Sequence, residues 1–300
     1  MPRKIKTTVN AIDANEDFMN KLAATIAISP FWNNFVNDIK YRNRFFHPPE
    51  FSEIIEMLFH CKKVIKKDLI FYRARQLNSS LYLDMQISVP ELKRSGIGGV
   101  SPKNMKAPPE GISTPGRANP AGISYLYLAS KPQIACAEIQ PTLLDLISVG
   151  QFKINKKINV INLKDPQIPP SLTIDKYIFK EFITCVELAF SHPIRNKIDL
   201  EYAPSQYISA YAQSKKFDGI VYGSMNDTKH RSYNLVLFDP TLADLIESET
   251  KVYQLRRQKL VFQNFSVLSK DAVSASCDCP LAESEEIKKI HLKLSHLQKK

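Results

Sequence analysis

An arginine close to two glycines is the first feature of the sequence that points to chemistry. Arg117 lies in the segment GRANPAG, residues 116–122, at the end of a long stretch rich in Pro, Gly, Ser and Asn. Glycine lets the backbone approach a ligand closely, and a guanidinium can bind phosphate or carboxylate through two parallel hydrogen bonds. The segment therefore predicts an anion site, although the same spacing also fits a turn with a solvated arginine.

Two further side chains could take part in such a site. Glu138 lies among small and apolar residues in the run IACAEI, which fits either the solvent-facing stripe of a helix or a side chain aimed into a cleft. Ser224 follows the apolar run GIVYG and could bind a ligand or cap the next turn. No Gly-x-Ser-x-Gly motif surrounds Ser224, so a serine hydrolase is not expected.

The elements that would position these side chains are strands and helices in alternation. Residues 1–67 are predicted to form a helical N-terminal extension, because apolar residues recur at helical spacing over 18–26 and 51–59. We predict a domain over residues 68–250 and a basic C-terminal tail over 251–300 that is partly helical or disordered. Within the domain we predict strands over 69–75, 123–129, 149–154, 158–163, 219–222 and 233–238, helices over 131–140, 174–190 and 204–214, and a long irregular loop over 90–122.

Composition limits the class of protein. The chain has 300 residues, of which 44% are hydrophobic and 24% charged, as in soluble globular proteins. No apolar run approaches the ~20 residues that span a bilayer, and the N-terminus lacks a secretory signal pattern, so we expect a cytoplasmic protein without membrane association. Five scattered cysteines do not form a disulfide framework, and the pair Cys277 and Cys279 lacks a second Cys/His pair, so no metal is expected.

The formal net charge of +11 admits nucleic acid, anionic ligands or an acidic protein as partners. The excess lysines form short clusters without a continuous basic helix or interleaved aromatic residues. Solvated surface lysine explains this pattern better than a nucleic-acid groove, so nucleic acid is not expected as a partner.

Several segments together resemble the RES domain family, which is named for its Arg, Glu and Ser. The matching segments are FYRAR at 71–75, GRANPAGISYLYLASKPQIACAEI at 116–139, YAPSQYISAYAQSKKFDGIVYGS at 202–224 and YNLVLFD at 233–239. The family motif falls on Arg117, Tyr127, Glu138 and Ser224. One departure is Ala118, where many family members have Trp.

The resemblance implies an α+β fold of the ADP-ribosyltransferase-like kind, with a mixed, split β-sheet and flanking helices. It also implies cleavage of NAD+ at the bond between nicotinamide and ribose, with NAD+ as a consumed substrate and no cofactor. Many family members are toxins paired with an antitoxin, so a cognate antitoxin protein is an expected partner. A homo-oligomer is left open.

The resemblance also assigns roles within the site. Arg117 would clamp the pyrophosphate, Tyr127 would pack against nicotinamide or ribose, and Glu138 would stabilise the developing oxocarbenium ion. Ser224 would bond substrate or fix Glu138. Three further residues are predicted to contact substrate, namely Arg73, Arg75 and Asn119.

Other functions remain open at this point. Transfer of ADP-ribose to a protein or small molecule would use the same cleft, so the acceptor could be water, phosphate or a macromolecule. The segment RNRFFH, residues 42–47, resembles the Arg-polar-x-x-x-His spacing of HEPN ribonucleases, although Phe45 and Phe46 could simply anchor a helix. A basic binding protein that keeps the fold without turnover is the third alternative.

Overall fold

A computed structural model describes residues 28–45, 51, 55–77, 98–167, 176–192, 199–227 and 231–256. Several predicted features lie wholly or partly outside these residues. Among them are the helix over 18–26, His47, residues 90–97 of the long loop, and the tail beyond 256 with its Cys277/Cys279 pair. The chain divides into two compact units. The first comprises Met1–Met57, Ile168–Cys185 and Leu260–Lys300, and the second comprises Leu58–Gln167 and Val186–Lys259.

The described part of the first unit is helical and aromatic. Helix α1 covers residues 28–41, and its buried residues Ile28, Phe35 and Ile39 recur at helical spacing. The ring of Phe51 packs edge-on against Phe35, with ring centroids 5.5 Å apart. Helix α1 lies within the segment for which a helical N-terminal extension was predicted.

The second unit contains a mixed sheet with helices, as predicted for the fold class. Its described residues contribute eight strands in the order β1-β5-β6-β7-β3-β2-β4-β8, and β5 and β6 form the one parallel pair among them. The strands are β1 Lys62–Ile65, β2 Ile70–Gln76, β3 Leu126–Ala129, β4 Leu146–Ile154, β5 Ile158–Asn162, β6 Gly219–Gly223, β7 Tyr233–Leu237 and β8 Ala243–Gln254.

Outside α1, residues 51, 55 and 56 are helical, and four further α-helices lie wholly within the described residues. They are α2 Pro102–Met105, α3 Pro132–Glu138, α4 Lys176–Ser191, which contributes residues to both units, and α5 Ala203–Ser214. Short 3₁₀ helices cover Met57–Cys61, Asp199–Tyr202 and Pro240–Leu242.

Both outer strands differ from the sequence-based expectations. β1 lies within the predicted N-terminal extension, and β8 runs past residue 250 into the predicted tail. Each is an edge strand with many exposed side chains, so its apolar alternation is too weak to show in the sequence. The sheet therefore begins before residue 68 and ends after residue 250.

The core of the second unit lies on both faces of this sheet. One cluster includes Phe71, Leu126 and Phe152, and a smaller cluster packs Ile134 and Ala135 of α3 against β2, β3 and β4. Pro132 occupies the first turn of α3, where its missing N–H costs nothing. Gln140, with φ of 50°, ends the helical path directly after Glu138 and Ile139.

The centre of the sheet is almost divided between β2 and β3. These two strands share a single register pair, Tyr72 with Ala129, whereas β2 and β4 share seven. Beyond that pair the strands do not continue a ladder, and the guanidinium of Arg73 donates to the carbonyl of Tyr127 at 3.2 Å. The gap opens a cavity beside β2, which places both predicted arginines of this strand at the candidate site.

Candidate active site

Tyr127 of β3 binds the loop that carries Arg117 through its hydroxyl group. The Tyr127 hydroxyl donates to Asn119 Oδ1 at 2.7 Å and accepts from the backbone N–H of Ala118 at 2.9 Å. Burial raises the pKa of Tyr127 well above its usual range, so its hydroxyl stays protonated. Its ring still lines the cavity.

Asn119 lies inside the loop and does not line the cavity. It is 2% exposed, and its Nδ2 reaches the carbonyls of Thr114 at 3.0 Å and Ile123 at 2.8 Å. The geometry assigns its amide to bracing the loop. A direct contact between Asn119 and substrate stays a prediction.

Helix α5 supplies a second brace that the sequence analysis missed. Gln206 Nε2 donates to the carbonyls of Gly116 at 2.9 Å and Asn119 at 3.0 Å, and Ser205 Oγ donates to the carbonyl of Arg117 at 2.5 Å. Both residues lie in the first turns of α5 and are buried. The sequence offered one signal for this brace: Ser205 and Gln206 are polar residues at helical positions that are buried, and buried polar groups require hydrogen-bond partners.

The Arg117 side chain is engaged within the protein. Its Nη1 donates to the carbonyl of Phe190 at 3.1 Å and lies 3.6 Å from Glu138 Oε2. The guanidinium also lies near Tyr222, whose pKa is raised by burial. Arg117 therefore faces the carboxylate and not only the open cavity.

Glu138, the last residue of α3, is aimed into the cavity. Its Oε1 accepts hydrogen bonds from Ser224 Oγ at 2.7 Å and from Asn234 Nδ2 at 2.8 Å, with Asn226 Nδ2 at 3.5 Å. The Glu138 side chain is 24% exposed. The Glu138 side chain thus points away from a solvent stripe and accepts hydrogen bonds from β7 and from the residues after β6.

Arg73 and Arg75 project from β2 into the same cavity. The Nε atoms of both are buried and have no hydrogen-bond partner among the described residues. Burial and, to a smaller extent, the nearby charge of Arg75 lower the pKa of Arg73 to about 9, and burial also lowers the pKa of Arg75. Two adjacent, partly desolvated cations with unused donors form an arrangement that an anion would stabilise.

The cavity has a volume of about 670 Å³, within the range of small-molecule sites. Glu138 is the one carboxylate among its described lining residues. The lining comprises residues 72–76 of β2, residues 127–129 of β3, Gly116, Arg117, Ala135, Glu138, Ile139, Gln140, Tyr202, Tyr222 and Asn234. The cavity thus contains one carboxylate, fixed by hydrogen bonds, and three guanidinium groups. This set of charges suits a substrate that develops positive charge at one atom and carries negative charge at another.

The part of the chain that the structure describes lacks two further features. No group of three metal-ligating side chains occurs in these ranges. None of the helices described is both long enough and apolar enough to cross a bilayer.

Fold and cavity define a mixed α+β protein in which Arg117 and Glu138 lie beside Ser224, which follows Glu138 by 86 residues in the chain. The family model for the RES domain matches residues 97–258, more than half of the chain. The chain therefore belongs to the RES domain family, as its sequence motifs indicated.

Other comparisons are weaker. A chain in the crystal structure of the M. tuberculosis MbcT–MbcA toxin–antitoxin complex is 12% identical, with a TM-score of 0.36, over 68% of this chain and 92% of that chain. No curated protein matches.

Proposed function

We propose that this protein degrades NAD+ by cleaving the bond between nicotinamide and ribose, in a fold of the ADP-ribosyltransferase-like kind. The observation that carries the proposal is the Glu138 carboxylate, held by Ser224 and Asn234 in a cavity that also carries Arg73 and Arg75. Membership of the RES domain family supports the same reaction.

The reaction needs little more than charge stabilisation. The bond from ribose C1 to the nicotinamide nitrogen breaks, and its electron pair stays with nicotinamide, which leaves as a neutral molecule. No general acid is required, unlike in ordinary glycoside hydrolysis. The Glu138 carboxylate stabilises the positive charge that develops on the ribose. The acceptor oxygen then bonds to C1 and releases its proton.

The proposed roles of the arginines differ from the sequence-based expectation. Arg117 was expected to clamp the pyrophosphate, but its Nη1 is engaged by the Phe190 carbonyl and lies near Glu138. We assign the phosphates of NAD+ to Arg73 and Arg75, whose Nε donors are unused. Arg117 instead orients the carboxylate from the side of the loop.

Tyr127 has two functions in this proposal. Its hydroxyl holds the loop through Asn119 and Ala118. Its ring forms part of the cavity wall and packs against nicotinamide or ribose.

The acceptor is water or phosphate in this proposal. The protein acts as the toxin of a pair with a cognate antitoxin.

The test is consumption of NAD+ by the purified full chain. Wild type should release nicotinamide, measured by chromatography, while Glu138→Gln should lose about 1,000-fold or more in kcat because it removes the charge that stabilises the transition state. Phosphorus NMR with and without added phosphate identifies the second product, and hence the acceptor.

The isosteric Glu138→Gln variant should keep the circular dichroism spectrum of wild type. Full activity of this folded variant would refute the assignment of Glu138. Absence of NAD+ loss with wild type, until an acceptor protein is added, would identify ADP-ribosyl transfer instead. In cells, expression of wild type should lower NAD+ and arrest growth, and Glu138→Gln should do neither.

A further inference from the structure

Asn234 is a buried polar residue in the middle of an apolar strand. It lies on β7, where the following residues Leu235, Val236 and Leu237 are fully buried, and it is itself 3% exposed. A buried amide is tolerated only where hydrogen bonds replace those it made to water. Its position therefore requires a specific partner.

That partner is Glu138, 96 residues earlier in the chain. Asn234 Nδ2 donates to Glu138 Oε1 at 2.8 Å. The backbone of Asn234 is fixed on both sides, because it pairs with Tyr222 of β6 and with Ala129 of β3. The donor is thus held by the centre of the sheet and not by a loop.

The two oxygens of the Glu138 carboxylate have different surroundings. Oε1 accepts from Asn234 and from Ser224 Oγ at 2.7 Å. Oε2 lies 3.6 Å from Arg117 Nη1, which is longer than a hydrogen bond. Oε2 is consequently the oxygen that retains capacity to accept a hydrogen bond from a ligand.

We propose that Asn234 is a positioning residue of the active site: together with Ser224 it occupies Oε1 of Glu138 and presents Oε2 to the reacting ribose. The last part rests on the proposed function, whereas the role of the hydrogen bond to Oε1 does not. The sequence pattern alone does not mark Asn234 as a residue of the site.

The other charged groups that surround Glu138 in the described cavity are cationic, and its titratable tyrosines are neutral. Arg117 faces it from the loop, and Arg73 and Arg75 line the same cavity from β2. Tyr127 and Tyr222 stay protonated because burial raises the pKa of each. A second carboxylate at position 234 would therefore introduce a repulsion that the described cavity lacks.

The test is the substitution Asn234→Asp, which preserves shape, removes the donor and adds a negative charge. Glutamate carboxyl carbons are labelled with ¹³C, the Glu138 signal is identified by its absence in Glu138→Gln, and its titration is followed by NMR. We expect the midpoint to rise by about one pH unit or more, because two adjacent carboxylates resist simultaneous ionisation. We also expect kcat for NAD+ to fall about 100-fold, with KM little changed and the acid limb of the pH profile moved upward.

A matched control is Asn162→Asp. Asn162 is also a buried asparagine of the same sheet, on β5, but its Nδ2 donates to the carbonyl of Asp165 at 2.7 Å and it does not line the cavity. This control should leave the Glu138 titration and the pH profile unchanged even if it lowers the unfolding temperature. The difference between the two variants therefore isolates the effect of a change beside Glu138 from the general cost of a buried asparagine-to-aspartate substitution.

The outcomes separate this proposal from the proposed function. The variant that decides the role is Asn234→Ala, because it removes the donor without adding charge; it should raise the Glu138 midpoint by a smaller amount than Asn234→Asp. If wild type does not consume NAD+ but Asn234→Ala still raises the midpoint, the positioning role stands and the reaction assignment fails. An unchanged midpoint in folded Asn234→Ala refutes the positioning role, whatever the activity. If Asn234→Ala does not fold, the larger Asn234→Leu also removes the donor without adding charge, and an unchanged midpoint there refutes the role equally.

Discussion

Gly116 occupies a position where any larger side chain would collide with the brace of the Arg117 loop. A Cβ added there would lie 2.7 Å from Asn119 Oδ1 and 2.8 Å from Tyr127 Oη. These two oxygens are joined by a 2.7 Å hydrogen bond, and the Asn119 amide is engaged on its other side. Neither oxygen can retreat without loss of a hydrogen bond, so Gly116→Ala should displace the loop.

The expected cost follows from the contacts. Overpacking at such a site destabilises by about 1–3 kcal/mol. Each hydrogen bond given up to relieve the clash adds about 1 kcal/mol. A total of about 2–4 kcal/mol in the free energy of unfolding is therefore expected. Because the loop carries Arg117, which faces Glu138, nicotinamide release should fall as well.

The assay is urea unfolding of wild type, Gly116→Ala, Tyr127→Phe and the double variant, followed by circular dichroism. Tyr127→Phe removes one of the two atoms that the new Cβ meets, so the double variant should be less destabilised than the sum of the single variants, by about 0.5–3 kcal/mol. Additive effects would mean that Gly116 and Tyr127 do not act through this contact. A Gly116→Ala protein as stable as wild type would refute the steric argument outright.

Two further predictions concern the anion site and the second brace. Arg73→Met should abolish most of the rise in unfolding temperature caused by added pyrophosphate and should raise KM for NAD+, since it removes from the cavity a guanidinium whose Nε has no partner among the described residues. Arg231→Met, which changes an exposed arginine outside this cavity, should change neither. Gln206→Met should destabilise by about 1–3 kcal/mol in urea unfolding, because it removes the side-chain donor to the carbonyl of Gly116 and one of the two donors to the carbonyl of Asn119. Retained pyrophosphate stabilisation in Arg73→Met, or unchanged stability in Gln206→Met, would contradict the respective contact.

Local patterns were sufficient for the inner elements of the sheet. The predicted strand over 69–75 corresponds to β2, and the predicted helix over 131–140 contains α3. Inner strands alternate or run apolar because their faces are buried, and Pro132 marks the start of α3. β1 and β8 escaped this reasoning because edge strands expose many of their side chains.

The sequence by itself determined which residue types could form the site. Arg117, Tyr127 and Glu138 lie close together in the chain, and their motif resembles the RES family to which the chain belongs. The serine after β6 completes the same motif. What the motif could not show was the direction of each side chain, as Glu138 fitted a solvent stripe and a cleft equally well.

Only the tertiary structure decided how these groups act on one another. The order β6-β7-β3-β2 brings Ser224 and Asn234 to Glu138, across 86 and 96 residues of sequence. The break between β2 and β3 exposes Arg73 to the same cavity. Strand order and register are set by the packing of the whole sheet, and local periodicity does not encode such long-range neighbours, so Asn234 had no signature of its own in the sequence.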